Sequence, residues 1–168
     1  KGRTLPRELA VFIGSRVARG LAYAHSKTDK DGRLLGLVHR DVSFKNIMIA
    51  FEGDVKLTDF GIAKARGFLV DNEGEVVAGK ADFMSPEQAN FQKTDQRSDL
   101  FSAGVVLAHL LLGKNIFKAS SPEKSRQQIL NMPIPDFRTL DERIDGRLNE
   151  ILRRALARDL DQRYATAD

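Results

Sequence analysis

Apolar residues recur at three-and-four spacing across residues 6–25, where Leu9, Phe12, Ile13, Val17, Leu21 and Ala24 share one face. That spacing predicts an amphipathic helix, and Thr4 and Pro6 stand where helix-start signals belong. A polar stretch from Ser26 to Gly36 follows, with Asp31-Gly32 as its turn. Ile47-Met48-Ile49 and Val55-Lys56-Leu57 flank Glu52-Gly53-Asp54 and predict a short β-hairpin. Residues 61–95 carry no sustained period and predict a long ordered loop; loops of that length inside a compact domain are usually functional. From Leu100 to Leu112 the chain is apolar around the whole helical circumference, which predicts a central buried helix ended by Gly113. Ser121 and Pro122 open another helix, which Pro133 stops. A last one places Leu148, Ile151, Leu152, Ala155 and Leu156 together. The expected fold is mainly α: a helical bundle around a central buried helix, with one β-hairpin at residues 47–58 and no internal repeat.

Composition narrows the class. With 168 residues the chain fits one domain, and 42% hydrophobic with 30% charged residues excludes disordered and fibrous chains. No cysteine is present, which removes disulfides, thiolate metal sites and cysteine nucleophiles together. The net charge of +4 comes from 27 Lys+Arg against 23 Asp+Glu, interleaved as in Lys27-Thr28-Asp29-Lys30-Asp31. Such mixing is a solvated surface, and no nucleic-acid partner is expected. The longest apolar stretch, Ala103 to Leu112, is broken by His109 and is too short to cross a bilayer. No charged-then-apolar leader opens the chain, so a cytoplasmic location is expected, with any membrane anchor elsewhere in a longer protein. Because it opens on Lys1 and ends on Asp168, the chain is expected to be part of a longer polypeptide.

The chemistry concentrates in His39-Arg40-Asp41-Val42-Ser43-Phe44-Lys45-Asn46 and in Asp59-Phe60-Gly61. Asn46 precedes one predicted strand and Asp59 follows its partner. Paired strands lie roughly 5 Å apart, so the hairpin draws these two oxygen donors together. Two hard oxygen ligands beside an open cleft suit Mg²⁺, which takes waters and phosphate oxygens as its other ligands. Asp41, on the loop entering the same strand, is placed to accept a proton from a hydroxyl nucleophile, a role worth about 10²–10⁴-fold in rate. Taken singly, Asp41 reads equally as a turn or capping aspartate, and Asp59 as the start of a turn with Gly61. His25 and His109 fit no metal-ligand spacing and read as core or surface histidines.

The two motifs together resemble the protein-kinase signature, with the first Asp as base and Asn and the D-F-G Asp as metal ligands. Three further stretches fit in the same order: Phe83-Met84-Ser85-Pro86-Glu87 in place of A-P-E, Arg97-Ser98-Asp99-Leu100 at the start of the central helix, and Asp159-Leu160-Asp161-Gln162-Arg163 as a closing Arg motif. The likeness spans the whole chain and is similar in flavour to the eukaryotic-like Ser/Thr kinases of bacteria. It implies that residues 1–168 form the C-terminal lobe of such a kinase, partnered by an N-terminal lobe, a protein substrate, ATP and Mg²⁺. It implies Asp41 and Lys45 as catalytic residues, and Asn46 and Asp59 as holders of the metal. Lys45, Asn46, Met48 and Asp59 would face the nucleotide, Met48 as the floor under the adenine. It further implies that Arg40 faces the activation segment, that His39 and Phe60 stack, that Glu87 pairs with Arg163, and that Asp99 holds the His39-Arg40 turn.

The departures matter as much. No G-x-G-x-x-G occurs, and the family's ATP-anchoring Lys and its Glu partner belong upstream of residue 6, so the piece alone is expected to bind ATP poorly and transfer phosphate negligibly. Ser43 stands where Ser/Thr kinases carry Lys, while Lys45 stands where tyrosine kinases place Arg. Lys80 replaces a Thr after Gly79, and His109 stands where the central helix often has Glu. Between Gly61 and Met84 there is no Ser, Thr or Tyr, so activity independent of activation-loop phosphorylation is expected, with Asp71, Glu73 and Glu75 as candidate carboxylates for Arg40. Two rival readings are a pseudokinase acting as a binding scaffold and a small-molecule phosphotransferase. The first is opposed by the presence of Asp41, Asn46 and Asp59, the second by Pro86-Glu87.

Overall fold

The computed structural model describes residues 4–60 and 81–168. The expected elements form, and a few others join them. Helix α1 runs Arg7–His25, the hairpin comprises β1 Ile47–Ile49 and β2 Val55–Leu57, and a short α2 spans Pro86–Ala89. The long helices α3 Gln96–Leu112, α4 Pro122–Asn131 and α5 Gly146–Ala155 complete the bundle. Single 3₁₀ turns at Phe44–Asn46, Ala81–Phe83, Phe137–Thr139 and Leu160–Gln162 carry no periodic signature, being one turn long.

Helix boundaries follow capping chemistry. Asp95, Ser121 and Asp145 accept from the backbone N–H of Arg97, Lys124 and Leu148 and so satisfy otherwise orphaned donors at the starts of α3, α4 and α5. Gly113 ends α3 in the left-handed region at φ 69°, where a side chain would be strained. At α1 the expectation needs correcting. Pro6 itself occupies the cap position with no side-chain cap bond, so Thr4 does not cap the helix.

Helix α3 is the axle. Its Phe101, Val105, Ala108 and Leu111 enter one core with Phe117, Ile129, Phe137, Leu148, Leu152 and Leu156, while Leu100 and Val106 enter a second with Val17, Leu21 and Val42. Burial on several sides is why this helix is apolar all round. Phe101, Phe117 and Phe137 are fully buried, each worth about 1.5–3 kcal/mol of apolar transfer. The buried stripe of α1 is Ala10, Ile13, Val17, Leu21, Ala24 and His25, facing α3 and β2. Leu9 and Phe12 were expected on that face but lie 43% and 40% exposed. Successive residues turn by about 100°, so Phe12 points well away from the stripe, where the Arg16 guanidinium lies 5.1 Å from its ring centroid.

The hairpin is antiparallel, pairing Ile47 with Leu57, Met48 with Lys56 and Ile49 with Val55. This register puts Asn46 opposite Thr58, whose N–H donates to the Asn46 carbonyl at 2.8 Å. Within the expected loop at residues 61–95, α2 and a 3₁₀ turn are present from Ala81 onward, each too short for a sequence period; residues 61–80 lie outside the described residues.

Candidate functional site

His39, fully buried, organises the site. Its Nδ1 accepts from the backbone N–H of Asp41 at 3.2 Å, and its Nε2 lies 2.8 Å from the Thr58 carbonyl. With Nδ1 accepting on one side and a carbonyl on the other, Nε2 is the nitrogen that donates. The ring also packs on Phe60 at a centroid distance of 4.6 Å, as the motif implied. One imidazole thus touches Asp41 directly and the residues on either side of Asp59. Asn46 joins the same frame, because its Nδ2 donates to the Asp41 carbonyl at 2.7 Å. With the amide nitrogen so engaged, Oδ1 is the end of the Asn46 amide left to meet a ligand.

Two residues of the frame are strained. Arg40 and Asp59 lie at φ 64° and 56°, a region non-glycine residues rarely adopt. Each costs roughly 1–3 kcal/mol and persists only where surrounding contacts over-determine it. Arg40 is held at three points. Its N–H donates to Asp99 Oδ1 at 2.7 Å, its carbonyl accepts from Gln88 Nε2 at 2.9 Å, and its Nε donates to Thr94 Oγ1 at 3.0 Å. Asp99, 1% exposed, also accepts from the His39 N–H at 2.7 Å and bonds His25 Nε2 at 2.8 Å. The expected Asp99 role is therefore present, and His25 is a core histidine.

The remaining candidates are placed as follows. Asp41 is half-buried; Lys45 is exposed in the same 3₁₀ turn as the buried Asn46; Asp59 is exposed after β2; and Met48 is 59% exposed on β1. A cleft of about 80 Å³ opens beside Asp41, lined by Arg40, Asp41, Val42, Phe83, Met84, Gln88 and Ser102. Nucleotide-sized ligands use pockets of roughly 300–1,000 Å³, so this cleft suits a single side chain. Among the described residues no group of three or more His, Asp or Glu could hold a metal. Asn46 and Asp59 are the oxygen-bearing residues that could hold Mg²⁺, with phosphate oxygens and water as its other ligands. Gly61, Asp71, Glu73, Glu75, Gly79 and Lys80 lie outside the described residues.

Glu87 and Arg163 pair as implied, at 2.8 Å with both side chains buried. Burial pushes the Glu87 carboxyl upward, but hydrogen bonds from Arg163 and Ser98 outweigh it and hold the group below its ordinary value. Sequence reasoning missed Gln88, Thr94 and Ser98. Gln88 had a legible signal, since Ser85 with Gln88 is a capping box and both of its bonds are present. Thr94 and Ser98 had none, because their partners Arg40 and Glu87 are 54 and 11 residues away.

The protein kinase domain family matches residues 1–168, the entire chain. The chain belongs to the protein kinase domain family. Among its relatives, a probable serine/threonine-protein kinase of Clostridium perfringens is 38% identical over 164 residues, covering 97% of this chain and 23% of the relative. The serine/threonine-protein kinase PknB of Mycolicibacterium smegmatis is 39% identical over 172 residues, covering 99% of this chain and 25% of the relative. The tyrosine-protein kinase MasK of Myxococcus xanthus is 38% identical over 164 residues, covering 98% and 25%. This kinase chain spans about a quarter of the length of these relatives. Among the described residues, its mainly helical structure with one two-stranded sheet is that of a kinase C-terminal lobe. No helix of the described residues is long and apolar enough to cross a membrane.

Proposed function

We propose that this lobe belongs to a kinase that transfers the γ-phosphoryl group of ATP to serine or threonine hydroxyls of proteins. The observation that carries the proposal is the His39 frame, which joins Asp41, Asn46 and the flanks of Asp59. The acceptor hydroxyl enters the cleft beside Asp41, which orients it and takes its proton. The hydroxyl oxygen forms the new bond to the γ-phosphorus, the bond to the bridging oxygen breaks, and ADP leaves. Asn46 and Asp59 would hold Mg²⁺, which when bound neutralises phosphate charge. Lys45 adds a positive charge beside the transferring group, and Met48 offers an apolar floor to the adenine. Little covalent chemistry falls to the protein, so positioning and electrostatics do most of the work. An N-terminal lobe supplies the ATP-anchoring Lys, and the location is cytoplasmic. Two of the named relatives being serine/threonine kinases supports that acceptor class, and the lack of Ser, Thr or Tyr between Gly61 and Met84 supports activity without activation-loop phosphorylation.

The test is transfer of labelled phosphate by the full-length protein to a protein acceptor, with Asp41→Asn as the variant. The variant should lose about 10²–10⁴-fold in kcat while keeping its fold, and the 168-residue piece alone should transfer negligibly. Undiminished transfer by Asp41→Asn overturns the assignment. Nucleotide binding without transfer by the wild type would favour a pseudokinase, and label appearing only on small alcohols would favour a small-molecule phosphotransferase.

A further inference from the structure

Three aromatic rings from three separate elements meet at Phe83, which lines the acceptor cleft. Phe44, in the catalytic turn, lies edge-on to His109 of α3 at a centroid distance of 4.8 Å and edge-on to Phe83 at 5.5 Å. Phe83 and His109 are parallel within 7° at 6.3 Å. Edge-to-face contact at these distances is the favourable arrangement for aromatic pairs. The cleft has two walls, one from Arg40, Asp41 and Val42 and the other from Phe83 and Met84. On the second wall the Phe83 carbonyl is pinned to α3 by Ser102 Oγ at 2.7 Å. Between the walls, Gln88 supplies a polar link by donating to the Arg40 carbonyl. Phe44 supplies the other link, since it follows the first wall by two residues and packs on the second.

Core filling does not account for Phe44. It remains 37% exposed, and it lies between Asp41 and Asn46, beside Lys45, where a bulky ring is not needed to fill the interior. His109 is likewise unexplained by polar chemistry, because its buried Nδ1 has no hydrogen-bond partner. Both residues are accounted for if the rings act together.

We propose that the Phe44–Phe83–His109 cluster sets the spacing of the two cleft walls, making Phe44 a positioning residue for the protein acceptor. This rests on the kinase assignment above. Phe44 touches no reacting atom; it acts through Phe83, which lines the cleft.

The test measures kcat and KM for both substrates in the full-length protein, using the best acceptor from an array of Ser- and Thr-containing peptides. Phe44→Leu removes the ring and keeps an apolar side chain. Loss of two edge contacts should raise the acceptor KM roughly tenfold, leaving the KM for ATP within about twofold. Phe44→Tyr keeps the ring and should restore the acceptor KM, and His109→Phe, which preserves an aromatic partner, should also stay near wild type. Thermal unfolding monitors the fold of each variant. An unchanged acceptor KM in a folded, active Phe44→Leu protein overturns the inference while leaving the kinase assignment intact, as does failure of Phe44→Tyr to rescue. No transfer by the wild type overturns the kinase assignment, and this inference with it.

Discussion

Replacing Glu87 by Gln perturbs one buried ion pair with little change in shape. Glu87 is 4% exposed and Arg163 2%. The carboxylate receives Arg163 Nη1 at 2.8 Å, Nη2 at 3.3 Å and Ser98 Oγ at 2.6 Å. An amide keeps one acceptor oxygen but turns an NH₂ toward donors, leaving the guanidinium charge buried without a counter-charge. Breaking a buried pair this way costs about 3–5 kcal/mol, about a fifth or more of the roughly 5–15 kcal/mol available to a domain. Arg163→Met should cost at least as much. Arg163 also donates to the carbonyls of Arg97, Ala157 and Arg158, which the thioether cannot satisfy. Urea unfolding of the 168-residue chain at pH 7, followed by circular dichroism, measures both losses. The pH dependence adds a second check. The folded Glu87 titrates below its ordinary value of 4.5. Its contribution is therefore complete above that pH and is lost as pH falls through the folded value. The gap between wild type and Glu87→Gln should narrow at low pH. A cost below about 1 kcal/mol at pH 7, or a gap that does not shrink in acid, would refute the assignment of this pair as a buried clamp.

Asp99→Asn should destabilise the chain by about 3 kcal/mol or more, since charge-assisted bonds to two backbone donors and His25 are weakened together. Faster amide exchange at His39 and Arg40 would locate the loss, and unchanged exchange would contradict it. Two helical glycines should respond with opposite signs. A Cβ at Gly104 would lie 2.9 Å from Ala155 Cβ and 3.2 Å from Leu156 Cδ2, so Gly104→Ala should destabilise by about 1–2 kcal/mol despite better helix propensity. At Gly14 the nearest atom is the flexible Leu107 Cδ1 at 3.1 Å, so Gly14→Ala should be neutral or stabilising by up to about 1 kcal/mol in the same unfolding assay. His109 is pushed below its ordinary value of 6.5 by burial, with Lys118 adding to the shift and Asp82 opposing it. The unfolded chain then binds the proton first, so stability falls as pH drops below about 6.5. His109→Phe should flatten that part of the stability profile.

Much of this lobe was legible because its signals are local. The central helix announced itself by an apolar circumference, and the hairpin by two short runs around Glu52-Gly53-Asp54. The motifs singled out Asp41, Asn46 and Asp59, and the family resemblance they carry implied the pairing of Glu87 with Arg163, which lie 76 residues apart. What failed was finer. Leu9 and Phe12 matched the spacing of the α1 stripe yet face outward, because the helix presents to α3 and β2 a narrower face than three-and-four spacing selects.

Tertiary structure alone decided the frame that brings these residues together. That His39 serves Asp41 through one ring nitrogen and the Thr58 carbonyl through the other depends on how the hairpin folds back on the loop that carries Asp41. The strain at Arg40 is sustained by Asp99, Gln88 and Thr94, three side chains between 48 and 59 residues distant. The Phe44–Phe83–His109 cluster likewise exists only because a turn, a wall and a helix converge. Periodicity and residue type are properties of neighbours along the chain and can be read from it directly. A hydrogen bond or ring contact is a property of distance and angle between remote groups, and those are set only when the whole lobe packs.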